Sequence, residues 1–147
     1  SEKVVTENYL VDALSFTEAE SAITDEMSVY VSGEFQVSGI AKAAYNEVFF
    51  SDVDDDDKWY KAKLQFITID EKTEKEKRST VNYLVQAKSL ARALRYVDEE
   101  MGKTMIDYDT IGLNETNLMD VFEHQAPNKE EKNDVPEYEQ GNAEQPA

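Results

Sequence analysis

The chain has 147 residues, no cysteine and a formal net charge of −17 at pH 7. The length corresponds to one domain, and the 40% apolar residues suffice for a hydrophobic core. The lack of cysteine excludes disulfides, thiolate metal sites and cysteine nucleophiles. The acidic balance disfavours general binding to nucleic acid or anionic membranes, although an acidic chain can imitate a phosphate backbone. With no apolar run of membrane-spanning length and no signal-peptide layout, we expect a cytoplasmic protein.

A tandem repeat organises the sequence. Residues 6–27 recur as residues 80–101 at a spacing of 74, with ten identities in 22 positions. A long fixed period indicates duplicated supersecondary units that bury a shared face. We therefore predict an α+β fold of two pseudo-symmetric β-(β)-α-β-β repeats, residues 1–51 and 58–123, in which each helix packs on an antiparallel sheet.

The first repeat begins with alternating residues 5–13, which predict a strand. Ser15 followed by Glu18 forms a capping box in which the glutamate reaches back to the serine amide, so a helix begins there. Residues 34–50 predict two strands or one bulged strand. Compared with the second repeat, the first lacks its opening strand, which leaves the edge of Val4 to Ala13 open. The predicted apolar stripe of the helix is Phe16, Ala19, Ile23 and Met27.

An acidic run at residues 52–57 separates the repeats, and we interpret it as a solvated linker. Its alternate aspartates resemble the start of a calcium loop, but Asp57 replaces the required glycine and Lys63 the required glutamate. Residues 54–58 also match an enteropeptidase cleavage tag, and we favour a natural linker. The alternate aspartates are Asp52, Asp54 and Asp56.

The second repeat restores the complete pattern. A half-buried strand from Trp59 is followed by a polar hairpin loop at residues 70–77 and by a strand at residues 79–87. Ser89 caps the second helix, and Gly102 occupies the position of a left-handed C-cap. The stripe of this helix is Leu90, Ala93, Leu94, Val97 and Met101.

The matched stripes predict a common core, in which Leu94→Ala costs about 2 to 5 kcal/mol. From residue 124 onwards the composition predicts a disordered acidic tail that contributes nothing to folding. The side chains expected to be buried are Phe16, Ile23, Met27, Leu90, Leu94, Val97, Met101, Tyr9 and Tyr83.

No residue pattern indicates catalysis, a cofactor or a metal. His124 is the sole histidine, no Gly-x-Ser-x-Gly elbow is present, and the scattered glycines do not form a phosphate-binding loop. The candidate ligand-binding residues include Trp59, Lys61 and Lys63, which share one face of a strand. The others are Tyr9 and Tyr83, because a pocket between the repeats would be lined by Tyr9, Tyr83 or Trp59. Glutamates alternate with the lysines of the adjoining hairpin, so ordinary packing of Trp59 is the favoured alternative.

Five motifs are distinctive within about residues 4–123, namely Asn-Tyr-Leu-Val, Val48-Phe-Phe-Ser-Asp52, Trp59-Tyr-Lys-Ala-Lys-Leu64, Phe66-Ile-Thr-Ile-Asp-Glu-Lys72 and Met119-Asp-Val-Phe122. In these motifs the sequence resembles an uncharacterised domain family of Bacteroidota and their phages. Members of that family usually begin with a Trp-Tyr strand ahead of the first repeat, so the resemblance implies a truncated N terminus. It implies no activity.

Two functional hypotheses follow. The first is a non-catalytic protein-interaction module, with a protein partner or a homodimer formed through the edge strand Val4 to Val11. The alternative to the dimer is that a strand from elsewhere in the same chain fills this edge. The second is a small-molecule or nucleotide-binding accessory protein in phage–host conflict, or a nucleic-acid mimic.

Overall fold

The structure is a computed structural model that describes residues 3–31 and 33–124. Within these ranges the strands form a two-stranded sheet, β1-β6, and a four-stranded sheet in the order β2-β4-β3-β5. The predicted α+β class is confirmed, whereas the tail predicted from residue 124 onwards lies outside the described residues apart from His124. The elements are β1 (Asn8–Val11), α1 (Phe16–Tyr30), β2 (Glu47–Phe49), β3 (Lys58–Ile69), β4 (Glu76–Ala87), α2 (Leu90–Met101), β5 (Asp107–Glu115) and β6 (Leu118–Phe122).

The fold divides into two compact units. Among the described residues, one comprises residues 3–10 with 36–121, and the other comprises residues 11–31 and 33–35 with 122–124. In the described part of the chain, no helix is long and apolar enough to cross a membrane.

The β3–β4 hairpin is the centre of the larger unit. The two strands pair antiparallel from Lys58 opposite Ala87 to Ile69 opposite Glu76, and β5 joins the other edge of β3 with a bulge between Lys63 and Leu64. The predicted hairpin is therefore confirmed, although β4 begins at Glu76, within the run predicted to be loop.

Its loop is closed by local hydrogen bonds. The Asp70 carboxylate accepts the amides of Lys72 at 2.8 Å and Thr73 at 3.3 Å, and Glu74 adopts a left-handed φ of 59°. An aspartate that caps its own turn explains why this polar run reverses the chain.

Helix α2 covers one face of the four-stranded sheet. The core at this face contains Tyr60, Ala62, Leu64, Val85, Ala87, Ala93, Val97 and Met101. The predicted burial of Val97 and Met101 is confirmed.

The predicted burial of Leu90 and Leu94 is wrong, because these side chains are 50% and 41% exposed. Residues 93, 97 and 101 lie at steps of four and form the face towards the sheet, whereas Leu94 lies about 100° around the helix from Ala93. Gly102 also differs from expectation, since its φ of −65° is right-handed and does not require glycine.

Helix α1 has the predicted cap but not the predicted core. The amide of Glu18 donates to Ser15 Oγ at 3.0 Å, while Glu18 Oε1 accepts the amide of Leu14, not that of Ser15, at 2.6 Å. No residue of α1 is buried: Phe16 is 53% exposed, and Ile23 and Met27 are half-buried. The prediction that this stripe lies in a core is therefore wrong.

The missing burial of the first repeat has a structural reason. In the second repeat, β3 supplies Tyr60, Ala62 and Leu64 to the core, and no strand among the described residues occupies the corresponding place in the first repeat. Residues 34–50 also form only one short strand, Glu47–Phe49, instead of the predicted long strand or pair. Tyr9 and Tyr83 are half-buried, not fully buried.

The repeats exchange their final strands. The repeat spacing of 74 relates β1 to β4, and with a one-residue slip the sequence also relates Val48-Phe49 of β2 to Val121-Phe122 of β6. β2 pairs parallel with β4 of the second repeat, and β6 pairs with β1 of the first. Each repeat therefore provides a strand to the other.

Candidate functional site

The residues predicted to bind a ligand are not gathered in one place. Trp59, Lys61 and Lys63 alternate along β3 and so share the sheet face opposite α2, as the sequence predicts. Trp59 is only 2% exposed and makes an edge-to-face contact with Phe50 at a centroid distance of 5.5 Å. Its ring is therefore engaged in packing, while the two lysines remain exposed.

Tyr83 lies on the other face of this sheet, because it is paired with Ala62 of the core. It contacts Phe49 and Phe66 edge-to-face, and burial, reinforced by the charge of Glu47, raises the pKa of its hydroxyl. Tyr83 is thus a packing residue next to β2.

Tyr9 belongs to the two-stranded sheet. Its hydroxyl donates to Glu7 at 2.6 Å, and this hydrogen bond, followed by burial, raises its pKa to about 12. Tyr9 and Tyr83 are equivalent in the repeat but lie in different sheets.

The basic hairpin is partly neutralised by acidic neighbours. Arg78 donates through Nη1 to Asp109 at 2.8 Å and to Gln65 at 3.2 Å, and through Nε to Glu76 at 2.6 Å. The hydrogen bond to Asp109, followed by that to Glu76, raises the pKa of Arg78. This arrangement agrees with the alternation of charges seen in the sequence.

Asp56 is the residue that the sequence interpretation missed. It belongs to the run interpreted as solvated, yet it is 2% exposed. Its carboxylate accepts hydrogen bonds from Ser51 Oγ at 2.5 Å, Tyr96 Oη at 2.6 Å, the amide of Lys88 at 2.8 Å and Arg92 Nη1 at 3.4 Å. Asp56 thereby ties the segment between the repeats to the start of α2.

The environment of Asp56 keeps it ionised. Burial by itself raises the pKa of the carboxyl, but the four hydrogen bonds outweigh burial and leave the pKa below its ordinary value. The sequence offers one weak sign of this role, since the spacing of four between Arg92 and Tyr96 places both on one flank of α2.

An open cleft of about 200 Å³ lies beside this network. Its acidic wall disfavours anionic ligands such as nucleotides. Among the described residues, no group of three acidic, histidine or cysteine side chains is arranged to hold a metal ion. The cleft is lined by Phe49, Phe50, Ser51, Asp52, Val53, Tyr96, Glu99 and Glu100.

His124 lies in the smaller unit and faces an acid. Its Nε2 is 3.4 Å from the carboxylate of Glu18, the residue that also completes the cap of α1. This contact joins the end of the described chain to the first turn of the helix.

The apolar stripe of α1 is less buried than the equivalent stripe of α2. Ala93, Val97 and Met101 of α2 are 0%, 0% and 3% exposed. Their equivalents in α1 are Ala19, Ile23 and Met27, which are all half-buried. The two equivalent strands show the same difference in burial. Leu10 and Val11 of β1 are half-buried, whereas Leu84 and Val85 of β4 are fully buried.

The backbone of β1 shows which of its edges is occupied. The amide of Asp12, directly after β1, donates to the carbonyl of Phe122 in β6 at 2.9 Å. Successive amides of an extended chain point to opposite sides, so the amides of Val11 and Ala13 point away from β6.

Comparison with known proteins identifies the family but no relative of known activity. No curated protein and no solved structure matches the chain significantly. The family model described as a domain of unknown function, DUF4494, matches residues 1–124, which agrees with the uncharacterised family indicated by the sequence. Since this match spans most of the 147 residues, the chain belongs to the DUF4494 family of domains of unknown function.

Proposed function

We propose that the chain is a non-catalytic protein-interaction module and that its first repeat carries the interface. The observation that supports this proposal is the exposure of α1, which has a periodic apolar stripe but no buried residue. An amphipathic helix with an uncovered apolar face is a common binding element, since a partner supplies the missing core.

The difference in burial between α1 and α2 indicates how much hydrophobic free energy is available for binding a partner. Full burial of a side chain the size of Ile23 or Met27 is worth about 1.5 to 3 kcal/mol relative to exposure. Both side chains are half-buried, so only part of this free energy has been gained in the chain by itself. Covering them provides a hydrophobic driving force for association.

The alternative, a small-molecule or nucleotide binder, has the cleft beside Asp56 as its site. That cleft is open and acidic, which does not favour a phosphorylated ligand. A mass-spectrometric search of the purified chain for a co-purifying metabolite tests this alternative, and a stoichiometric small molecule would support it.

Affinity purification tests the interaction module. The resemblance to domains of Bacteroidota and their phages selects lysates of these bacteria as the source of partners, and a cytoplasmic setting is part of the proposal. The baits are the unchanged chain, Ile23→Asp and the control Thr24→Asp, which adds the same charge at an exposed position outside the stripe.

We expect one dominant protein to be captured by the unchanged chain and by Thr24→Asp, and to be lost with Ile23→Asp. A capture profile that is identical for all three baits would contradict the role of α1. Circular dichroism of each bait checks that the helices are retained.

A further inference from the structure

The cleft beside Asp56 has the size of a single side chain. Its volume of about 200 Å³ is below the roughly 300 to 1,000 Å³ that is typical of small-molecule sites. The segment that follows β2 forms one wall, and α2 forms the other. All of the lining residues belong to the larger unit. A cleft of this size suits one side chain of a protein partner better than a nucleotide.

Three aromatic rings line the cleft. Phe49 and Phe50 belong to one wall and Tyr96 to the other. The Tyr96 hydroxyl donates to the buried carboxylate of Asp56 at 2.6 Å. A phenol that donates to a charged acceptor becomes richer in electrons, so its ring attracts a cation more strongly. The lining therefore favours a cationic group that can stack on aromatic rings.

The carboxylates at the cleft are not equally engaged. Glu99 Oε2 lies 3.6 Å from Arg95 Nε, and Glu100 Oε2 lies 3.1 Å from Lys103 Nζ. Asp52 is exposed, and no ion pair within the described part of the chain involves its carboxylate. A cation that enters the cleft can therefore pair with Asp52 without displacing another partner.

The chain itself places a guanidinium on one of these rings. Arg95 Cζ lies 5.4 Å from the centroid of the Tyr96 ring, while Arg95 Nε faces Glu99. Arg95 is not among the residues that line the cleft, so this contact leaves the cleft to another group. A planar guanidinium stacks on aromatic rings and pairs with carboxylates through a fork of donors, whereas the ammonium of lysine is a compact point charge. The contact of Arg95 with Tyr96 thus indicates which cation the cleft suits.

We propose that the cleft beside Asp56 binds the guanidinium of an arginine side chain on a protein partner. The group stacks on the aromatic rings of the cleft and pairs with Asp52. This inference goes beyond the proposed function, which assigns the interface to α1, and it holds whether or not α1 takes part.

NMR titration of the full chain with N-acetyl-arginine methylamide, which we call capped arginine, tests the proposal. We expect saturable shifts at the amides of Asp52, Val53 and Glu99, with a Kd on the order of 1 mM because one side chain makes few contacts. Capped citrulline has nearly the same shape without the charge and should bind at least about fivefold more weakly. Capped lysine should bind about twofold to threefold more weakly than capped arginine.

Matched variants separate the cleft from the general negative charge of the chain. Asp52→Asn and Asp55→Asn each remove one exposed carboxylate, but only Asp52 lines the cleft. We expect Asp52→Asn to weaken the binding of capped arginine about threefold to fivefold, and Asp55→Asn to change it by less than about 1.5-fold.

A second pair of variants tests the aromatic lining. Phe50→Leu and Phe35→Leu each remove an exposed ring, and only Phe50 lines the cleft. We expect Phe50→Leu to weaken the binding of capped arginine about twofold to fivefold and Phe35→Leu to leave it unchanged. Should Phe50→Leu fail to fold, as judged by circular dichroism, the two aspartate variants still decide the question.

Four results would overturn the proposal. They are the lack of saturable shifts, equal affinity for capped arginine and capped citrulline, equal effects of Asp52→Asn and Asp55→Asn, and tighter binding of capped lysine than of capped arginine. Butylguanidinium, which has no peptide groups, distinguishes the source of the guanidinium. If it binds more than about tenfold tighter than capped arginine, the cleft is a site for a free small cation and not for a protein side chain.

The outcome can be distinguished from failure of the proposed function. If α1-dependent capture of a partner persists while capped arginine does not bind, the module uses α1 without the cleft. If capped arginine binds but capture does not depend on α1, the cleft is a recognition site and the role of α1 lacks support.

Discussion

Asp56 shows how a single side chain can organise a segment that has no regular structure. Ser51, Lys88, Arg92 and Tyr96 all donate to its carboxylate, and Ser51 is also linked through its amide to Gln86 at 2.8 Å. One buried charge therefore joins the end of β2, the end of β4 and the first turns of α2.

Replacing this carboxylate is expected to destabilise the fold. Asp56→Asn presents an amide to donors that require an acceptor, so we expect a loss of about 2 to 4 kcal/mol in the free energy of unfolding. The measurement is urea denaturation followed by Trp59 fluorescence. Asp55→Asn, at an exposed neighbouring position, should change stability by less than about 0.5 kcal/mol.

The lowered pKa of Asp56 adds a dependence on pH. The stability that its ionised carboxylate contributes is fully present above the ordinary pKa of 3.8 and is lost as the pH falls through the lower pKa of the folded state. The difference in stability between the unchanged chain and Asp56→Asn should therefore be constant near neutral pH and shrink below about pH 4. A difference that stays the same down to pH 2 would contradict this role.

At the same scale, the composition of the sequence gave no indication that Asp56 is a buried hydrogen-bond acceptor. Five aspartates in residues 52–57 have no periodicity, and a dense run of charge usually stays in water. The acceptor role depends on Arg92 and Tyr96 arriving from α2, so it is a property of the tertiary fold. Trp59 was open to two interpretations for the same reason, because its burial depends on Phe50 and the far side of the sheet.

At the scale of elements, the sequence signals that act within a few residues, such as helix caps and a hairpin, predicted the structure correctly. The caps by Ser15 and Ser89 are formed as predicted, with the amides of Glu18 and Arg92 at 3.0 and 3.1 Å, and the hairpin of β3 and β4 has the predicted position. The stripe of α1 was identified equally well, but its burial was not, because burial requires a strand that the described first repeat does not have.

Leu94 and Val97 of α2 allow a direct comparison of an exposed and a buried position. Val97 is fully buried in the core, so Val97→Ala should cost about 1 to 3 kcal/mol as a cavity mutation. Leu94→Ala removes a larger side chain that is 41% exposed, so we expect a loss below about 1 kcal/mol instead of the 2 to 5 kcal/mol suggested by the sequence. Chemical denaturation measures the loss of stability in each variant. A larger loss in Leu94→Ala than in Val97→Ala would show that α2 is rotated, with Leu94 facing the sheet.

At the scale of the molecule, the exchange of final strands makes the repeats dependent on each other. β2 belongs to the first repeat and pairs with β4, and its Phe49 packs against the core of the second. A chain divided in the exposed turn between Asp54 and Asp55 should therefore stay together as two pieces.

Co-expression of residues 1–54 and 55–147 as separate chains tests this dependence. We expect the two pieces to co-purify and to elute as one species in size-exclusion chromatography. Phe49→Asp in the shorter piece should weaken the association, because it places a charge against the core, whereas Asp52→Asn at an exposed position should not. Separate elution of the unchanged pieces would mean that the exchanged strands contribute little.

The pairing of β1 with β6 also bears on the order in which the chain folds. The hairpin of β3 and β4 closes a loop of only a few residues, whereas β1 must meet a strand at the opposite end of the described chain. The entropic cost of closing a loop grows with its length, so contacts between neighbouring elements form first. We expect the β1–β6 ladder to be absent from the transition state, so that weakening it accelerates unfolding and leaves the rate of folding nearly unchanged. β1 therefore leaves the ribosome before the β3–β4 hairpin but is expected to reach its native pairing after it.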